Sequence, residues 1–362
     1  MRHSVILGVS TLLVALVWPP AQAETRYRIH NLGVLQADDS ASLARGINND
    51  GWVVGYTQNS SGAAYTAFLY NHGQMKSLGL LDGARGEMAY DVNDRGQVVG
   101  NVFNPVTRAR YPFLYESGHI VNPVAGLGGV QGGAYAINEQ GQLTGSIDSR
   151  AFFHDGTQSR FIPLGDTTSS AGVSVNDHGI VLGYAQYSND YYAFTYDGTT
   201  VTRLETLPGG GNGFEPFAIN NSNQIIGQDF FEGVGYKAYL RNGAAVTELG
   251  SLGGGDTGAY GLNDRGVVVG ASRTSTGEFH AYVYQDGVLN DLNDLLLPGA
   301  AKRWELSDAF DINDRGQIVG SGTINGVRRA YIATPVPEPG TWALLLVGLG
   351  GIVMRYRCRT NT

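Results

Sequence analysis

Aromatic rings and charged side chains in a few long segments are the residues of this chain best suited to chemistry. Phe103, Tyr187, Phe214, Phe230 and Trp304 fall within 102–111, 184–191, 207–216, 228–237 and 295–307, with Glu215, Asp256 and Arg303 as polar companions. A flat ring packs against the C–H face of a sugar, and a neighbouring carboxylate or guanidinium takes up its hydroxyls. The expected chemistry is therefore recognition of a polysaccharide, with these eight residues as the ligand-binding set. Each ring could instead simply cover apolar core, as most aromatics do.

Bond-making chemistry has little to stand on. No G-x-S-x-G, H-E-x-x-H or C-x-x-C occurs, and Cys358 is the only cysteine. His30, His72, His119, His154, His178 and His280 are scattered, so neither a metal nor any cofactor is expected. Asp91-x-Asn93-Asp94-x-Gly96 and Asp311-x-Asn313-Asp314-x-Gly316 begin like a calcium loop but lack its later oxygen ligands, and read as hairpin turns. The glycine triplets, such as Gly253–Gly255, have no helix behind them to form a phosphate site and read as turn glycines. No catalytic residue is assigned. A glycoside hydrolase or lyase using two carboxylates on one face is the alternative reading.

The elements that must hold these residues come from a repeat. The pattern I-N-x-x-G-x-x-x-G begins at Ile47-Asn48 and returns at Val92-Asn93, Ile137-Asn138, Val175-Asn176, Ile219-Asn220, Leu262-Asn263 and Ile312-Asn313. Seven copies spaced 38 to 50 residues apart suit propeller blades. In each, the chain before Asn reads as a strand, Asn-x-x-Gly as a tight turn whose glycine needs positive φ, and the Val-Val-Gly run as a second strand. Where the fifth copy lacks the turn glycine it has Asn223, the residue that best tolerates that conformation after glycine. Aromatic runs such as Ala67–Tyr70 and Pro112–Tyr115 supply a third strand, and runs such as Val246–Gly250 a fourth.

The last copy has no fourth strand, whereas the chain opens with an unpartnered one at Tyr27–Gly33. Joining them predicts an all-β, seven-bladed β-propeller over 24–334 in which the N-terminal strand closes the last blade and no open edge remains. Short turns then share one face and the long, varied segments the other, which is where a ligand is expected.

Composition agrees: 53 glycines, 15 % charged residues and 42 % hydrophobic residues describe a folded β protein. The net charge of −8 offers no footprint for nucleic acid. At the N-terminus, Arg2, an apolar run from Val5 to Trp18 and Ala21-Gln22-Ala23 make residues 1–23 a signal peptide cut after Ala23. At the C-terminus, 335–362, Val336-Pro337-Glu338-Pro339 precedes an apolar stretch expected to form a transmembrane helix, followed by Arg355, Arg357 and Arg359. Arginines in that place hold a tail on the cytoplasmic side.

This C-terminal order resembles the PEP-CTERM sorting signal of Gram-negative bacteria. The resemblance implies an exosortase as processing partner, transient anchoring in the inner membrane, and delivery to the envelope or the extracellular matrix. The repeat resembles the HAF family of bacterial extracellular repeats, most closely at Leu252–Gly255 followed by Ala259-Tyr-Gly-Leu-Asn263. That likeness implies an extracellular propeller and names no activity. Exopolysaccharide is accordingly the expected partner.

Overall fold

In a computed structural model of the chain, residues 25–62, 64–79, 86–207 and 213–336 are described. The expected transmembrane helix and most of the sorting motif, from Pro337 onward, lie outside them, as do residues 1–24. No helix among the described residues is long and apolar enough to cross a membrane.

Arg26–Val336 is built from seven four-stranded antiparallel sheets, numbered here as blades 1 to 7. Blade 2 is typical, running Glu87–Val92, Val98–Asn104, Ala109–Glu116 and His119–Val121 from the innermost strand to the outermost. Blade 7 takes three strands from Trp304–Ile312, Ile318–Ile324 and Val327–Val336, and its outermost from Arg26–Gly33. The first and last strands of the unit pair from Arg26 opposite Val336 to Gly33 opposite Ala330. The seven-bladed ring closed by its N-terminal strand is thus the observed fold. Its last strand runs two residues past the expected boundary, so Val336 is part of the sheet.

Hydrophobic alternation explains the core. The third strand of every blade contributes one ring, from Phe68, Phe113, Phe152, Phe194, Tyr239, Tyr282 and Tyr331 in turn, and all seven are buried. Each packs into the layer between neighbouring blades; Ala67 and Leu69 of blade 1, for example, meet Val98 and Phe113 of blade 2. Burying one such ring contributes about 2–3 kcal/mol. Gly51, Gly96, Gly141, Gly179, Gly266 and Gly316 all have positive φ in the Asn-x-x-Gly turn, and Asn223 takes their place at φ 58°.

The asparagine of the repeat has a second use. Its Nδ2 donates to the backbone carbonyl of the same asparagine in the next blade, from Asn48 to Asn93 and so on around to Asn313, which returns to Asn48; the seven distances are 2.8 to 3.1 Å. The residue after it forms another ring. The amide N–H of Asn49, Asp94, Glu139, Asp177, Asn221, Asp264 and Asp314 each donates to the side-chain oxygen of the next of these, at 2.7 to 3.0 Å. Two closed belts of hydrogen bonds therefore bind all seven blades at the face that carries the tight turns.

Two expectations need correction. Gly253–Gly255 is not a turn but the start of an inner strand, Gly253–Leu262, where the register jumps between Gly253 and Thr257. Two of its residues sit at φ +100° and +94°, so glycine serves an irregular strand there. The segments 102–111 and 228–237 are largely hairpin arms rather than loops. Asp229 faces Lys237 and Phe231 faces Gly235 within a regular ladder.

Candidate functional site

Every inner strand carries one extra residue at the same place. The register slips in turn around Arg45, Tyr90, Tyr135, Val173, Phe217, Tyr260 and Phe310, always three residues before the asparagine of the repeat. A bulge bends the strand and re-aims the side chain it displaces. These side chains meet from blade to blade around the axis. Tyr90 lies 5.7 Å from Tyr135, Phe217 lies 5.5 Å from Tyr260, and Tyr260 lies 5.8 Å from Phe310, between ring centroids. The Arg45 guanidinium covers Phe310 at 4.2 Å. The second glycine of the motif makes the bulge possible: a Cβ built on Gly100 would fall on the Met88 carbonyl oxygen, and one on Gly320 on that of Asp308.

On the face of the long connections this channel opens into a cavity of about 420 Å³ between blades 2, 3 and 4. Tyr90, Phe103, Tyr135 and Tyr184 line it with Asn101, Arg110 and Gln131. Burial, with the Tyr135 phenol beside it, pushes the Tyr90 hydroxyl up to about 12, so it stays neutral. It accepts a hydrogen bond from Asn101 Nδ2 at 2.7 Å, and its own proton faces only the Met88 sulfur at 3.7 Å. That proton is available to a ligand. Tyr135 shares a hydrogen bond with Ser146 Oγ at 3.0 Å. Aromatic faces and hydrogen-bond donors together suit a ring bearing hydroxyl groups, and among the described residues no carboxylate lines the cavity.

The same face carries most of the exposed large hydrophobic residues. Of the nine large hydrophobic residues exposed among those described, Val106, Val130, Phe230, Val234, Tyr236, Phe279 and Val327 all lie at this end of their blades. The other two, Val121 and Val288, belong to outermost strands. Exposed apolar residues gathered on one side mark an interaction surface.

The residues picked from sequence divide three ways. Phe103 lines the cavity, with Arg110 over its ring at 5.9 Å. Phe230 and Asp256 belong to a second cluster on the same face, in blades 5 and 6: Phe230 meets Tyr236 at 5.2 Å, and Asp256 accepts from the Tyr236 amide and pairs with Arg273 Nε at 3.1 Å. Arg273 in turn covers Phe279 at 4.6 Å. Glu215 is exposed and accepts a hydrogen bond from Gln228 at 2.8 Å. Arg303 is exposed on the connection before blade 7. Tyr187 is half-buried, its hydroxyl bonded to the Leu164 carbonyl and its ring stacked on Tyr192 at 5.9 Å.

Phe214 and Trp304 are corrections. Both are buried, 5 % and 7 % exposed, Phe214 with Leu182 and Ile219, and Trp304 with Leu306 and Tyr331. Neither ring can offer a face to a ligand. Sequence reasoning missed Tyr90, Tyr135 and Tyr184. The first two had a signal: an aromatic between two small or acidic residues just before the Ile-Asn pair, as in Ala89-Tyr90-Asp91.

The mouth on the turn face is a smaller, polar cavity of about 170 Å³ lined by the carboxylates Glu139, Asp177, Asp264 and Asp314 together with asparagines of the belts. Its side chains are already engaged in the belts. No group of His, Cys, Asp or Glu among the described residues is arranged to hold a metal ion.

Comparison with known proteins separates the tail from the ring. Residues 335–359 match the PEP-CTERM protein-sorting motif. No curated protein sequence matches the chain. Among solved structures it is similar to virginiamycin B lyase from Staphylococcus aureus, at TM-score 0.50 and 11 % identity over 86 % of this chain and 100 % of that one. It is also similar to YCF48 bound to D1 peptide, at 0.53 and 12 % over 88 % and 98 %. The extracellular domain of BT4673 from B. thetaiotaomicron follows, at 0.51 and 7 % over 85 % and 40 %. At such identities the likeness is one of fold alone. The chain is therefore an exported β-propeller that carries an exosortase sorting signal at its C-terminus.

Proposed function

We propose that this propeller is a non-enzymatic binding protein for exopolysaccharide of the cell envelope or extracellular matrix. The observation that carries the reading is the cavity on the connection face, where Tyr90, Phe103, Tyr135 and Tyr184 surround hydrogen-bond donors on the side of the molecule that also carries most of its exposed large hydrophobic residues. The repeat's resemblance to HAF-type extracellular proteins fits this, as does a signal peptide over residues 1–23 cut at Ala21–Ala23. The sorting segment, from Val336 through Pro337, Glu338 and Pro339 to Arg355, Arg357 and Arg359, would hold the chain in the inner membrane until an exosortase acts on it. Glycosidases place two carboxylates about 5–10 Å apart around the bond they cleave. That no carboxylate among the described residues lines the cavity favours binding over that chemistry.

The test is affinity electrophoresis of the 24–336 segment through gels containing envelope polysaccharide, with a reducing-end assay on the same mixtures. Retention without new reducing ends, weakened about tenfold in Phe103→Ala, is the expected result. New reducing ends would replace binding with hydrolysis or lyase action.

A further inference from the structure

Two arginines in or near this site form no ion pair with any described residue. Arg110 reaches the cavity from the third strand of blade 2 and rests over Phe103. Arg45 is the bulged residue of blade 1, in the channel wall next to the blade that carries Tyr90. Its guanidinium lies on Phe310 and within 5.8 Å of the Tyr56 ring, and its Nε is buried without a hydrogen-bond partner. Among the described residues neither side chain forms an ion pair, whereas Arg160, Arg203, Arg273 and Arg328 all do. Both are near enough to Tyr90 to pull its hydroxyl downward against the effect of burial.

We infer that the sugar held in this cavity is acidic, its carboxylate received by Arg110 beside the Tyr90 hydroxyl, with the Arg45 charge in the neighbouring blade adding longer-range attraction, while its ring lies on Phe103 and Tyr184. The inference rests on the polysaccharide reading and narrows it to uronic-acid-type units. The chain's net negative charge does not oppose it. Four of its carboxylates ring the opposite mouth of the channel, and interactions between exposed charges fade beyond about 10 Å at ~0.1 M salt. Asp148, one residue before Ser149 of the lining, spends Oδ1 on the Val130 and Gln131 amides.

The experiment is titration calorimetry of the 24–336 segment, which contains all seven sheets, with a galacturonic-acid oligomer and with the same oligomer after its carboxyls are reduced to primary alcohols. The acidic form is expected to bind at least tenfold more tightly, and raised salt should shrink the difference. Arg110→Gln, at an exposed position, should abolish the preference without lowering the melting temperature, and Arg45→Gln should reduce it in part. Equal binding of the two oligomers, or an undiminished preference in Arg110→Gln, overturns the acidic-sugar inference and leaves polysaccharide binding standing. If the folded protein binds neither oligomer, nor any neutral polysaccharide, both readings fall together.

Discussion

The two faces of the ring are made by opposite uses of the same repeat. On the turn face, seven copies do one thing seven times: each asparagine ties its blade to the next, and each residue after it does so again. On the connection face the equivalent positions differ from blade to blade, with Tyr90 and Tyr135 against Val173 and Arg45 at the bulge. Uniformity is needed where a ring must close on itself, because one unmatched link leaves buried polar groups unpaired on both neighbours. Variety is tolerated at the bulge, since the backbone there is fixed by the partner glycine and the side chain is not.

The largest effect should come from breaking a belt. Asn313 Nδ2 bonds the Asn48 carbonyl and Gln317 Oε1, and its Oδ1 accepts from the Arg315 and Gln317 amides. Asn313→Ala removes all four at a buried position and should cost about 3 kcal/mol, read as a lowered midpoint in urea unfolding. A loss below about 1 kcal/mol would mean that strand pairing alone closes the ring.

The next effect depends on pH. Asp91 and Asp311 follow the bulge in blades 2 and 7 and accept the amides of Ile137 and Ile47 from the next blade. Burial pushes their carboxyls up to about 6 and about 7. The folded state thus holds these protons more tightly than the unfolded chain. The stability they supply is full below about pH 4 and is lost as pH rises through 6 and 7, on the order of 1–2 kcal/mol for Asp311. Relative to wild type, Asp311→Asn should flatten the fall in melting temperature between pH 5 and pH 8, measured by scanning fluorimetry. An unchanged slope would place the titration elsewhere.

On the other face the expected order reverses, with binding affected more than folding. Phe103→Ala should weaken polysaccharide retention by about tenfold, near 1.4 kcal/mol, and barely move the unfolding midpoint. The smallest change sharpens the contrast between the two clusters of that face. Phe230→Ala, at a residue 38 % exposed, should alter stability by less than about 0.5 kcal/mol. If it also weakens retention, the ligand extends across blades 5 and 6; if not, the cavity of blades 2 to 4 holds it alone.

Most of the ring was legible because it is written in short-range chemistry repeated seven times. The turn glycines, the substitution of Asn223 and the missing outer strand each follow from local backbone rules. The binding residues were legible only in part. Phe214 and Trp304 stand at the starts of segments where strand alternation, not loop freedom, decides which side is buried, and one step in register separates buried Phe214 from exposed Glu215. Tyr90 and Tyr135 reach the channel through a bulge, which shifts that alternation by one residue and is not visible in apolar periodicity. Their direction depends on Gly100 and Gly145 in the neighbouring strand, a pairing known only once the register is known.

The strand pair that joins Arg26 to Val336 also sets a schedule. The first strand to leave the translocation machinery has no partner until the last has followed, so the propeller cannot finish folding while its C-terminal end is still in transit. Until then the inner strand of blade 1 and the outer face of Val327–Val336 lie uncovered, and closure across so long a span is slow. Completion of the ring therefore reports that the chain has crossed as far as Val336. The Pro-Glu-Pro motif begins at the very next residue, so the recognition sequence of the sorting enzyme directly follows the strand whose emergence completes the ring.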